Sequence, residues 1–208
     1  VDVSISHKII YIPVMKCGTQ MFQEVFKRRF HGVRVSDVKL KAHIGKLDIN
    51  DFFVFTFVRD PFSLFRSAYG EVSLYAAHHS IKEKGFATMN QTLENEPERA
   101  LQALEDIKNG VFSGLVPAHM HTTSWKINRC FGRARRQLPI NFIGHIENIE
   151  EDWKEIERRL DVAHLPLPVI HSSATIKERV LAKKYIQFKE EKFTKLNQKI
   201  CEYYQSDF

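Results

Sequence analysis

Residues 8–20 read Lys-Ile-Ile-Tyr-Ile-Pro-Val-Met-Lys-Cys-Gly-Thr-Gln, and the organisation of the whole chain can be worked outward from them. Lys8 to Val14 is a short apolar, β-branched run closed by a glycine turn, the pattern of a buried strand. From Thr19, the residues Met21, Phe22, Val25, Phe26 and Phe30 recur at helical spacing, and Gly32 supplies a stop. The expected order is therefore strand, tight loop, helix. Such a junction presents backbone N–H groups at the positive end of a helix, which suits an anion, and Lys16 adds a point charge at its mouth. A nucleotide triphosphatase would carry Gly-x-x-x-x-Gly-Lys-Ser/Thr, with its lysine near the end of the loop. Here Lys16 comes first, followed by Cys17, Gly18 and Thr19, so the hydroxyl that would hold magnesium beside a terminal lysine is not where that class puts it.

A second buried strand is expected over Phe52 to Val58. Arg59-Asp60-Pro61 and a helical stretch from Phe62 to about His79 follow, with Asp60 as N-cap and Pro61 at the first helical position. Residues 80–116 are polar and glycine-punctuated, with one helix from about Pro97 to Lys108, and read as an insertion over the sheet edge. A third strand, Asn141 to Ile146, leads into a helix from about Asn148 to Leu160. Glu150, Glu151 and Asp152 stand in its first turn, where the helix dipole favours them. Pro166 and Pro168 mark an irregular crossing, and Ile176 to Tyr204 is helical. Strands alternating with helices, without repeats or low-complexity tracts, argue a single α/β domain around a mostly parallel sheet.

The 208 residues, 43% hydrophobic and 12% aromatic, suffice for one substantial core. A formal charge of +6, from 31 Lys+Arg against 25 Asp+Glu, favours polyanionic partners. Nucleic acid is disfavoured among them for want of an aromatic and basic readout motif. Three cysteines make no disulfide framework, and none sits in a Cys-x-x-Cys pair. Cys17 reads as a small packing residue. Cys130 and Cys201 read as two buried thiols, with a bridge in an oxidising lumen as the alternative. No apolar run approaches the roughly 20 residues of a membrane span. The chain starts at Val1, which leaves room for an anchor or leader outside it.

Tyr-Ile-Pro-Val-Met-Lys-Cys-Gly-Thr-Gln, residues 11–20, resembles the 5′-phosphosulfate-binding loop of sulfotransferases, commonly Pro-Lys-x-Gly-Thr-Thr. Phe57-Val58-Arg59-Asp60-Pro61-Phe62 with Ser67-Ala68-Tyr69 is similar to their 3′-phosphate-binding motif. The segment Phe142-Ile143-Gly144-His145-Ile146-Glu147-Asn148, with Glu150-Glu151-Asp152-Trp153, resembles the Phe-Ile-Gly-x-x-Glu-Asn-Leu-Glu-Glu-Asp stretch of the membrane-anchored carbohydrate branch. The closing Tyr203-Tyr204-Gln205-Ser206-Asp207-Phe208 is like the final helix of that branch. The resemblance covers essentially the whole chain. It implies a P-loop-like three-layer fold, with a central mostly parallel sheet flanked by helices. It also implies transfer of a sulfuryl group from 3′-phosphoadenosine 5′-phosphosulfate to an acceptor hydroxyl, first of all on a carbohydrate.

Sulfuryl transfer, like phosphoryl transfer, is catalysed mainly by positioning and charge stabilisation. The resemblance gives Lys16 the leaving 5′-phosphate and the sulfuryl oxygens. Cys17, Gly18, Thr19 and Gln20 form the phosphate cradle, and Arg59 and Ser67 hold the 3′-phosphate through a planar guanidinium fork and a hydroxyl. In many relatives an arginine stands where this chain has Leu64, so that motif is incomplete, and Arg66 is a candidate substitute. The acceptor must lose a proton, which asks for a base. His43, in Lys41-Ala42-His43, resembles the second histidine of a His-x-His segment before the same strand in heparan sulfate sulfotransferases, with Lys41 in place of the first. His119 and His121 resemble a His-Trp-x-Pro-Gln region lining the acceptor cleft, with Met120, Thr122 and Thr123 replacing its other members. Glu147 is a further family-matched acid on the substrate side. No metal is required, because lysine and backbone donors carry the charge stabilisation.

Two other readings stand beside a carbohydrate enzyme of the Golgi lumen. One is a soluble, cytoplasmic sulfotransferase acting on a small-molecule hydroxyl or amine. The other is a non-catalytic anion- or heparin-binding module on the same fold.

Overall fold

A computed structural model describes residues 1–65, 67–68, 102, 104–105, 108–109, 121–131, 139–168 and 194–207. The chain divides into two compact units, each assembled from two stretches: Val1–Asp60 with Thr123–Ile170, and Pro61–Thr122 with His171–Phe208.

The first unit is built on a five-stranded sheet. Its elements are β1 (Asp2–Ser4), β2 (Ile9–Ile12), α1 (Thr19–Arg29), β3 (Val33–Arg34), α2 (Asp37–Ile44), a 3-10 turn (Ile49–Asp51), β4 (Phe53–Val58), α3 (Thr123–Phe131), β5 (Phe142–His145), a second 3-10 turn (Ile146–Asn148) and α4 (Ile149–Arg159). The strand order is β3-β1-β2-β4-β5. β2, β4 and β5 are mutually parallel, while β1 pairs antiparallel with both β2 and β3. The three expected strands are thus the parallel part of the sheet, β2 and β5 trimmed at both ends and β4 at its start.

Side chains that alternate along the strands supply two cores, one on each face. Ile9, Tyr11, Phe55 and Phe57 point to the face covered by α1 and α4, where they meet Phe22, Phe26, Phe30, Trp153 and Ile156. Ile10, Ile12 and Val54 point to the other face, against Leu40 and Ile44 of α2. Helices on both faces make this unit three layers. The first core is mostly aromatic: Phe22 stacks on Phe57 with centroids 4.3 Å apart, and Tyr11 lies 5.0 Å from Phe22 and 5.4 Å from Phe55. Such pairs add about 0.5–1.5 kcal/mol each beyond the area they bury. Gly144 on β5 is required by this packing, since a Cβ there would meet the Phe57 ring at 2.5 Å.

Several local elements depart from the sequence expectation. β1 and β3 are strands of three and two residues, too short for alternation to reveal them. They are joined by the Arg34 guanidinium, which donates to both carboxylate oxygens of buried Asp2 at 3.0 and 2.9 Å. α2 and α3 were not expected either. The turn that ends α1 is taken by His31, whose φ of 49° is left-handed, while the Gly32 N–H closes onto the Phe26 carbonyl at 2.8 Å.

In the second unit, residues 61–65 and 67–68 are helical, as the Asp60-Pro61 start predicts. Residues 102, 104–105 and 108 are helical within the expected stretch from Pro97 to Lys108, while most of the expected insertion and the segment 176–193 lie outside the described residues. α5 (Thr194–Tyr203) closes the chain with a 3-10 turn (Gln205–Asp207) and buries Leu196, Ile200 and Tyr204. Cys201 is a free, exposed thiol on its outer side, not the buried or bridged one expected, and the Cys130 side chain lies outside the described residues. Among the described residues, no helix is long and apolar enough to cross a membrane.

Candidate active site

Ile12 pairs with Thr56 and Val58 with His145, so the chain leaves β2, β4 and β5 at one common edge of the sheet. In parallel α/β sheets this carboxyl edge is where ligands bind, because the following helices turn their positive ends toward it. Three loops converge there, and each brings a charged side chain.

The loop after β2 is folded around the Val14 carbonyl. The Cys17 N–H donates to it at 3.1 Å and the Thr19 hydroxyl at 2.7 Å. Lys16 (φ 71°) and Gly18 (φ 70°) both adopt the left-handed conformation. For a residue with a Cβ, such as Lys16, this costs about 1–2 kcal/mol. At the second position a side chain would bear the same strain, and its Cβ would also press on Ile146 Cδ1 at 3.2 Å and Phe22 Cε2 at 3.3 Å. The first amide of α1 to find a helical acceptor is that of Phe22, at the Gly18 carbonyl 3.1 Å away. No side chain caps the helix and no acidic residue stands in its first turn. The N–H groups of Thr19, Gln20 and Met21 therefore open α1 without intrahelical acceptors, an arrangement that attracts an anion.

The loop after β4 starts with Arg59, whose Nη1 donates to the Lys16 carbonyl at 3.3 Å. Its Nε lies 4.0 Å from a Glu147 carboxylate oxygen, and that same oxygen accepts the Asp60 N–H at 3.1 Å. Glu147, in the turn after β5, thereby ties the third loop to the second. A further cation comes from α3: Lys126 is only 4% exposed, and its Nζ donates to the Met15 carbonyl at 3.5 Å.

Of the residues that the sequence singled out, Lys16, Cys17, Gly18, Thr19, Gln20, Arg59 and Glu147 come together at this edge. Cys17 is buried, with its N–H and thiol both turned onto carbonyls of its own loop. His43 is exposed in the last turn of α2, and the chain after it enters β4 from the opposite edge. Among the described residues, no hydrogen bond or ion pair joins His43 to the converging loops. Ser67 is half-buried in the helical part of the second unit. His121 belongs to that unit too, with Nδ1 3.0 Å from the Tyr203 hydroxyl. Burial, then the Asp207 carboxylate, push that phenol up to about 12, so it stays protonated and able to donate. His119, Arg66 and Tyr69 lie outside the described residues. Among those described, no three His, Cys, Asp or Glu side chains cluster as metal ligands would.

Sequence reasoning missed Lys126. A lysine within Trp125-Lys126-Ile127 reads as a solvated position, because lysine is almost never fully buried. Its direction is decided by how α3 packs.

A helix N-terminus and the cationic residues Lys16 and Arg59 meet at this edge, an arrangement that attracts an anion, in a protein of net charge +6. In comparisons with known proteins, the model of the sulfotransferase family matches residues 1–208, the whole chain. No curated protein and no solved structure matches it.

Proposed function

Since this chain belongs to the sulfotransferase family, whose chemistry is sulfuryl transfer, we propose that its donor is 3′-phosphoadenosine 5′-phosphosulfate and its acceptor a carbohydrate hydroxyl. The observation that carries the donor assignment is the meeting of Lys16, the uncapped start of α1 and Arg59 at one sheet edge. The three-layer arrangement around β2, β4 and β5 is consistent with a P-loop-like fold.

The acceptor oxygen attacks sulfur in line with the bridging oxygen. As the bond from sulfur to that oxygen breaks, negative charge accumulates on the leaving 5′-phosphate. Lys16 and the N–H groups of Gly18, Thr19 and Gln20 meet that charge, and fixed dipoles serve this end without reorganising. The sequence motif Arg59-Asp60-Pro61 with Ser67 is what supports recognition of the 3′-phosphate, the group that separates this donor from ordinary adenine nucleotides. The acceptor proton passes to a base, which we assign to the histidines His119 and His121, because His43 stands on the stretch that leads into β4 from the edge opposite Lys16. His119 and His121 belong to the acceptor side. A glycan acceptor would place the work in the Golgi lumen, with any membrane anchor outside this chain.

Calorimetry with 3′-phosphoadenosine 5′-phosphate tests the donor half. Binding should be tighter than that of AMP by at least about tenfold, the scale of one charge-assisted contact, and Arg59→Ala should erase the difference. Equal affinity for the two nucleotides in the unsubstituted protein would overturn the assignment. Transfer of radiolabelled sulfate to a panel of glycans and small hydroxylated or aminated metabolites tests the acceptor half; label appearing only on the metabolites would replace the carbohydrate reading.

A further inference from the structure

The carbonyls of Met15 and Lys16 are consecutive, and each is held by a different cationic side chain. Lys126 Nζ reaches the first from α3 at 3.5 Å, and Arg59 Nη1 reaches the second from the end of β4 at 3.3 Å. Between these two anchors and Gly18 the backbone takes its left-handed turn at Lys16, a conformation that is costly for a residue with a Cβ. Burying an ammonium is costly, so a lysine left 4% exposed at such a place is tolerated only where its interactions offset the lost hydration.

We propose that Lys126 is a positioning residue of the phosphate loop. Together with Arg59 it clamps two successive carbonyls and so aims the Lys16 amine and the opening amides of α1. The clamp turns the carbonyl dipoles toward cations and leaves the N–H side of the loop for the anion. It also adds a buried positive charge beside the loop, which a neutral side chain of the same shape would not. This proposal rests on the reading of the loop as the site of the donor's 5′ end.

The test uses Lys126→Met, which keeps the volume and removes the charge, and Lys126→Arg, which restores it. Calorimetry is run with three probes: 3′-phosphoadenosine 5′-phosphate, AMP and adenosine 3′-phosphate. Lys126→Met should weaken the two 5′-phosphorylated probes by about tenfold or more, the loss expected for one charge-assisted contact, and leave adenosine 3′-phosphate unchanged. Lys126→Arg should recover most of the loss. Unchanged 5′-phosphate affinity, or equal weakening of all three probes, would overturn the proposal, the second outcome marking general damage to the fold. If the unsubstituted protein binds no 5′-phosphorylated probe, the donor reading is what fails. In that event the amide resonances of Lys16 to Met21 still decide the clamp: they should move in ligand-free Lys126→Met, and their staying in place would refute it.

Discussion

Lys16 and Gly18 illustrate how much a two-residue interval can carry. Both sit in the left-handed region, and Gly18 is also pressed between Ile146 and Phe22. A methyl group at that position meets a conformational and a steric penalty together. Gly18→Ala should destabilise the protein by about 1–3 kcal/mol and weaken 3′-phosphoadenosine 5′-phosphate binding, because any relaxation of the loop moves the first amides of α1. Chemical denaturation and calorimetry check the two halves; a variant of normal stability and affinity would show that the loop tolerates a Cβ. At this scale the residue types were legible in the sequence, since Lys-x-Gly-Thr after an apolar run already names a cation and a turn. The left-handed state of Lys16 was not, because lysine has no intrinsic preference for it and only neighbours such as Arg59 hold it there.

Among the elements, α1 and α4 are pinned by one buried carboxylate. Glu157, 2% exposed, accepts hydrogen bonds from Arg29 at the end of α1, from His164 when Nδ1 carries a proton, and from the Leu165 N–H at 3.1 Å. Burial by itself would raise its pKa, but the hydrogen bonds from Arg29, His164 and Leu165 outweigh that and hold it below the ordinary carboxylate range. A carboxyl depressed by folding stabilises the native state fully above its unfolded pKa, about 4.3, and loses that contribution as pH falls through the folded value. Glu157→Gln should therefore cost about 1–3 kcal/mol at neutral pH and flatten the fall of stability below about pH 4. Urea denaturation followed from pH 7 down to 3 checks this; parallel curves for the two proteins would deny Glu157 its role. The amphipathic run from Thr19 and the acidic first turn of α4 made both helices readable in advance. Their connection was not, since Arg29 and Glu157 lie 128 positions apart.

For the whole molecule, the expected consequence of a donor site is linkage. At about a hundred times its dissociation constant, 3′-phosphoadenosine 5′-phosphate should add about 2.7 kcal/mol of stability, which for a chain of this size is a rise of roughly 5–10 °C in melting temperature. Differential scanning calorimetry measures it. A rise no larger than equal inorganic sulfate produces would mean generic anion binding to a basic surface. A second, ligand-insensitive transition would assign the effect to one of the two compact units alone.

Taken alone, the order of residues was enough for the local facts: a buried strand running into a helix through Lys16-Cys17-Gly18-Thr19, a second strand ending in Arg59-Asp60-Pro61, a third ending near Glu147, and the family these imply. Hydrophobic periodicity and turn chemistry act over a few residues, so they can be read along the chain. Strand order, the antiparallel edge formed by β1 and β3, the convergence of three loops on one sheet edge, and the turning of Lys126 onto Met15 belong to the folded state. Each depends on partners tens of residues away, and which partners meet is decided by burying two faces of one sheet at once.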